Sequence, residues 1–167
     1  MKISEVFCRS LFLSALGAAL AVGQLLSAQS DPVSVHTGAD LRQQAAELKT
    51  KAAASPGGLG MTKLYDYGDH NLLLIVRVKT GDAEQHDQWA DETVIVTGEA
   101  TLVTGGKLMS PHPDATNAPG ETRASGIEGG TEKVLHAGDV VHIAAGVPHW
   151  VKVSKGGSVT YLTFKVK

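Results

Sequence analysis

From residue 61 onward the chain alternates apolar and polar positions in short runs broken by glycine. β-formers concentrate at residues 61–67, 72–79, 93–96, 100–104, 133–136, 140–143, 150–153 and 159–166, which predicts about eight strands. Between 72 and 78 every even position is apolar while Arg77 falls on the odd face, so one side is a core side. Before the strands, Leu41, Ala45, Leu48 and Ala52 recur at helical spacing behind the capping oxygens of Ser34, Thr37 and Asp40. They predict one amphipathic helix over about residues 39–54, ended by Ser55-Pro56-Gly57-Gly58. Its apolar face must cover either its own barrel or a partner's. Residues 105–130, with Pro111, Pro113 and Pro119, read as a long excursion from the sheet, because strands resume after it. It is expected either to cover the barrel mouth or to stand as a solvated hairpin.

The first 28 residues differ from all of this. Lys2 and Arg9 precede an apolar run over residues 11–22, and Gly23, Gln24, Ser27 and Ala28 form a small-residue exit. This reads as a secretory signal peptide cleaved after Ala28, too short in its apolar run to span a bilayer. The expected organisation is therefore a signal peptide at 1–28, a helix and loop at 29–60 and a barrel at 61–167, secreted or periplasmic, with no membrane contact after cleavage. Removing the leader takes away Cys8, the sole cysteine. Disulfides, thiol nucleophiles and cysteine-ligated zinc are then excluded.

Composition sharpens the picture in one respect. The chain of 167 residues is 43% hydrophobic and 19% charged, with a formal charge of −2, enough apolar material for one core. No run of Lys or Arg supplies the positive field a phosphate backbone demands, so nucleic acid is not an expected partner. There is no G-x-S-x-G, no phosphate-cradling glycine loop ending in Lys-Ser/Thr and no H-E-x-x-H. Chemistry must come from histidines, carboxylates, hydroxyls or a metal.

The histidines are placed informatively. On an extended strand His86, Gln88 and Glu92 share one face, which Val94 and Val96 continue. A stripe thus runs from ligand-type groups into an apolar interior, and Asp91 turns outward. Far along the chain, His149 opens a strand just after a Gly146-Val147-Pro148 turn. His142 alternates onto an outer face, His36, His70, His112 and His136 sit near turns or strand ends, and Trp89 and Trp150 point away from the cavity. Arg77 and Arg123 are expected at the surface.

These positions resemble the two motifs of the cupin superfamily. The first reads roughly G, five positions, H-x-H, three or four positions, E, six positions, G. Gly81, His86, Gln88, Glu92 and Gly98 occupy it, with one fewer residue before the His and before the last Gly, and with Gln88 in place of the second His. The second reads G, five positions, P-x-G, two positions, H, and Gly138, Ala144, Gly146 and His149 fit it, with Ala144 in place of proline. The resemblance covers about residues 62–166. It implies an all-β double-stranded β-helix, the cupin jelly roll, with the short helix appended.

The resemblance also implies a divalent metal (Fe, Mn, Ni, Co or Zn) on His86, Glu92 and His149, with Gln88 as a fourth ligand. It further implies a small polar molecule as ligand or substrate, and a homodimer. Two classes of function stay open. One is a metal-dependent oxygenase, lyase or isomerase. The other is a metal-free cupin that binds or senses a small molecule in a pocket lined by Val94, Val96 and Val151.

Overall fold

The computed structural model describes residues 33–167 apart from Asn117. The expected signal peptide, its expected cleavage site and Cys8 lie outside the described residues. One helix precedes the strands, α1 (Gly38–Ala54). It starts where the caps predict: Thr37 receives the Asp40 amide on its side chain while the Asp40 carboxylate accepts from the Thr37 amide. Twelve strands follow among the described residues: β1 (Leu59–Asp66), β2 (His70–Arg77), β3 (Ala83–His86), β4 (Ala90–Thr104), β5 (Lys107–Met109), β6 (His112–Pro113), β7 (Glu121–Ala124), β8 (Gly126–Glu128), β9 (Thr131–His136), β10 (Val140–Ile143), β11 (His149–Lys152) and β12 (Val159–Val166).

All pairings are antiparallel. The order β1-β2-β12-β4-β11-β3-β7-β6, with β9 and β10 both on β4, curls into a half-barrel of the cupin double-stranded β-helix type. The two predicted strands at 93–96 and 100–104 are one continuous element. The first half of β4 pairs with β10 and β12, and the second with β9 and β11. The chain changes layer at Gly98, whose φ is +83° and where a Cβ would fall 2.0 Å from the Ser158 carbonyl oxygen. Only glycine meets both conditions.

β2 is buried on both faces, from Asn71 to Arg77. Its even residues Leu74 and Val76 pack with Leu48 of α1, flanked by Leu41 and Ala45. The helix therefore covers its own barrel. The odd residues Leu73 and Ile75 face inward with Ile95, Leu102, Leu135, Ile143 and Tyr161. Arg77 continues that inward face and is 5% exposed, against the surface position expected for it, because its guanidinium finds partners inside.

The excursion is neither a lid nor a solvated hairpin alone. β5 pairs with β8, while β6 pairs with β7 and β7 pairs with β3, residue by residue from Ala83↔Ala124 to His86↔Glu121. It thereby widens the second layer and delivers side chains to the interior.

Candidate metal centre

β3 and β11 meet at the pair His149↔Glu84. With period two along β3, Glu84 and His86 point the same way, and both imidazoles, 3% and 2% exposed, enter one cavity. One ligand atom each from Glu84, His86 and His149 lies within 4.8 Å of the others, a set able to hold a divalent metal. Between β3 and β4 the chain bends at residues 87–89, and this bend resets the alternation. Beyond it the inward positions are Asp91, Thr93 and Ile95, the odd ones.

The bend decides where the expected ligands stand. His86 and His149 come together, with ring centroids 5.1 Å apart. Gln88 sits exposed on the bend. Glu92 faces the outer side of β4, where its carboxylate meets His142 Nδ1 at 2.5 Å. Neither lies at the cluster. Val94 and Val96 share the Glu92 face and do not line the cavity, and Val96 is 40% exposed; Val151 does line it. The carboxylates that face the imidazoles are Glu84 and Asp91, the latter only 7% exposed where solvent was expected. Moving the H-x-H pair back by two residues and the acidic position back by one would have found them, since Glu84-x-His86, four positions, Asp91, six positions, Gly98 keeps the motif's spacing.

The geometry around the centre is close. His86 Nε2 lies 3.9 Å from Glu84 Oε2 and 3.5 Å from Asp91 Oδ2, while His149 Nε2 lies 3.9 Å from Glu84 Oε1 and 3.6 Å from Asp91 Oδ2. Two donors on one tetrahedral ion with bonds of about 2.0–2.1 Å stand about 3.4 Å apart. The set is thus slightly expanded around a point that an ion could occupy. Both Nε2 atoms are buried and lack a hydrogen-bond partner. Their other nitrogens are committed: His86 Nδ1–H donates to Glu121 Oε2 at 2.5 Å, and His149 Nδ1–H donates to the Val147 carbonyl at 3.0 Å. Those bonds set the tautomer and aim each lone pair inward.

Charge is arranged in the same sense. Burial alone would raise the Glu84 carboxyl, but Arg123, His149, Arg77 and His86 together bring it down to about 2. Arg123 Nη1 donates to Glu84 Oε2, Arg77 Nη2 reaches Oε1 at 3.4 Å, and the two guanidiniums are steadied by Asp114 (3.0 Å) and the Tyr161 hydroxyl (2.9 Å). Asp91 is likewise lowered, burial being outweighed by His86 and Lys165. Burial pulls His149 down and neutral; at His86 burial is overcome by Asp91 and Glu84, which raise it. The carboxylates that favour a proton on His86 Nε2 also attract a metal cation, and the two compete for the same lone pair.

The cavity measures about 150 Å³. That is below the roughly 300–1,000 Å³ typical of drug-sized ligands, so its occupant is small. Sequence reasoning missed Glu121 and Arg123 because β7 lies inside the excursion, and nothing local announces that it pairs with β3.

No family model matches the sequence, and no curated protein matches it. Among solved structures, the polyketide cyclase RemF from Streptomyces resistomycificus is 17% identical over 65% of this chain, with a TM-score of 0.44. The chain spans 64% of the RemF chain. KdgF from Halomonas sp. is 12% identical, covering 68% of this chain and 83% of that one (TM-score 0.46). A cupin-2 domain from Rhodospirillum rubrum is 12% identical, covering 65% and 59% (TM-score 0.46).

Proposed function

We propose that this chain is a metal-binding cupin that holds a divalent cation on Glu84, His86 and His149, with Asp91 as the fourth donor, and that it binds a small polar molecule beside that cation. One observation carries the reading: two buried imidazole nitrogens without partners converge on two ionised carboxylates. A buried polar atom left unpaired costs about 1–3 kcal/mol, and a cation satisfies both at once. Two imidazoles with two carboxylates suit Fe, Mn, Co, Ni or Zn. When bound, such an ion polarises an oxygen of the ligand or of water. The rest is the work of the chain. Glu121 and the Val147 carbonyl hold the imidazoles in register, Arg77 and Arg123 keep Glu84 ionised, and the apolar walls keep bulk water out.

An oxygenase, lyase or isomerase is compatible with this centre, and the reaction type does not follow from the ligands. A metal-free binding cupin is the second reading. It is favoured by the two arginines, which already engage both oxygens of Glu84. Metal analysis of untagged protein by mass spectrometry separates the two. We expect near one equivalent of a transition metal, lost in His86→Ala and His149→Ala; a metal content far below one that is indifferent to His149→Ala overturns the metal centre. Export rests on the N-terminal pattern and is checked by the mature N-terminus of protein recovered outside the cytoplasm. A homodimer rests on the cupin resemblance, with Val140 of edge strand β10 70% exposed; light scattering tests it.

A further inference from the structure

Lys165 is a cation beside the metal centre that offers it no ligand atom. It lies on the inward face of β12, opposite Asp91 of β4 and one layer from the Thr163–Thr93 hydroxyl pair, whose oxygens are 2.9 Å apart. Its side chain is 16% exposed and lines the cavity. A buried ammonium is costly unless paired, and Asp91 Oδ1 at 2.8 Å meets that cost. Yet one hydrogen bond uses one of three donors. The cavity's other cations are committed, since Arg77 and Arg123 are held by Glu84, Tyr161 and Asp114.

The charge count then matters. Arg77, Arg123 and Lys165 face Glu84, Asp91 and Glu121 along the cavity wall, with Asp114 paired to Arg123 behind it. A divalent cation leaves this group of charges at +1, in a space where low dielectric strengthens every charge. An occupant carrying negative charge restores the balance, and the side of the centre flanked by Asp91 is where a donor stands ready to receive it.

We propose that Lys165 is the positioning and specificity-determining residue of this site, selecting a small carboxylate-bearing molecule by binding its anionic oxygen while another oxygen meets the metal. This rests on the metal-centre reading above. Asp91 acts as the arm that holds the ammonium in place, and the Thr163–Thr93 pair supplies hydroxyls next to it. Neutral molecules of the same size gain less from Lys165.

The test uses the full-length mature chain loaded with Co²⁺, whose visible absorption reports ligand exchange at the ion. Acetate is the anionic probe and imidazole the neutral one. In Lys165→Met we expect the acetate dissociation constant to rise about tenfold or more, as the loss of a charge-assisted hydrogen bond implies, with imidazole within twofold of the parent. Lys165→Arg should restore acetate binding to within about threefold, and the unchanged imidazole constant in Lys165→Met separates this role from a merely structural one, which would weaken both probes. An acetate constant unchanged in Lys165→Met, or acetate and imidazole weakened together, overturns the proposal and leaves the metal centre standing. A parent chain that takes up no Co²⁺ overturns both.

Discussion

Glu84 bridges the buried Arg77 and the half-buried Arg123, and its removal offers a quantitative test of the site without any metal. In the folded chain its carboxyl titrates at about 2 against an ordinary value of 4.5. One pKa unit is worth about 1.4 kcal/mol, so the ionised form contributes on the order of 3 kcal/mol to folding. Because the folded value is depressed, that contribution is complete above the unfolded value of 4.5 and is lost as the pH falls from 4.5 towards 2. Glu84→Gln keeps the shape and deletes the charge. The expected cost for the metal-free protein at pH 7 is about 3–5 kcal/mol, the upper end reflecting two guanidiniums left without their shared counter-charge. Urea unfolding followed by the fluorescence of Trp89 and Trp150 measures it at pH 7, 5, 4 and 3. The two proteins should differ fully at pH 7 and 5, and the gap should narrow at 4 and close towards 2, where the parent's own Glu84 becomes neutral. A gap that stays constant across this range, or one below about 1 kcal/mol at pH 7, would refute the claim that a charged Glu84 ties the arginines together.

Three further outcomes follow from the same geometry. Glu121→Ala removes the acceptor that aligns the His86 ring and should weaken Co²⁺ or Zn²⁺ binding by about 10–100-fold in a competition titration. Glu92→Gln and Gln88→Ala should alter metal affinity by less than about twofold in that titration, since one side chain pairs with His142 on the outer face and the other lies exposed on the bend. Gly98→Ala meets both a left-handed backbone and the Ser158 carbonyl, and should lower the thermal unfolding midpoint sharply, with a loss of about 3 kcal/mol or more by urea unfolding.

Much of the architecture was legible because it rests on local rules. Capping oxygens and a Pro-Gly stop bound α1, and the alternation read over residues 72–78 survives intact in β2. The site was legible only where a side chain carries its own signal. His86 and His149 stand out as imidazoles placed at a strand end and after a turn. Glu92 was favoured over Asp91 because alternation was carried across residues 87–89, whereas the bend there exchanges inner and outer positions. Arg77 was placed outside because a lone charge in an apolar run is usually solvated; its partners Glu84 and Tyr161 come from strands 7 and 84 residues away. Glu121 and Arg123 depend on the pairing of β7 with β3 across an irregular stretch, a tertiary fact with no counterpart in periodicity.

The passage of β4 through both layers has a mechanical consequence. Four neighbours are hydrogen-bonded to this one strand, two in each layer, so neither layer can peel away or slip by a residue without breaking bonds in the other. Amide protons along residues 91–103 should exchange with deuterium at the rate of whole-chain opening, while the rim strands β1 and β6 exchange sooner.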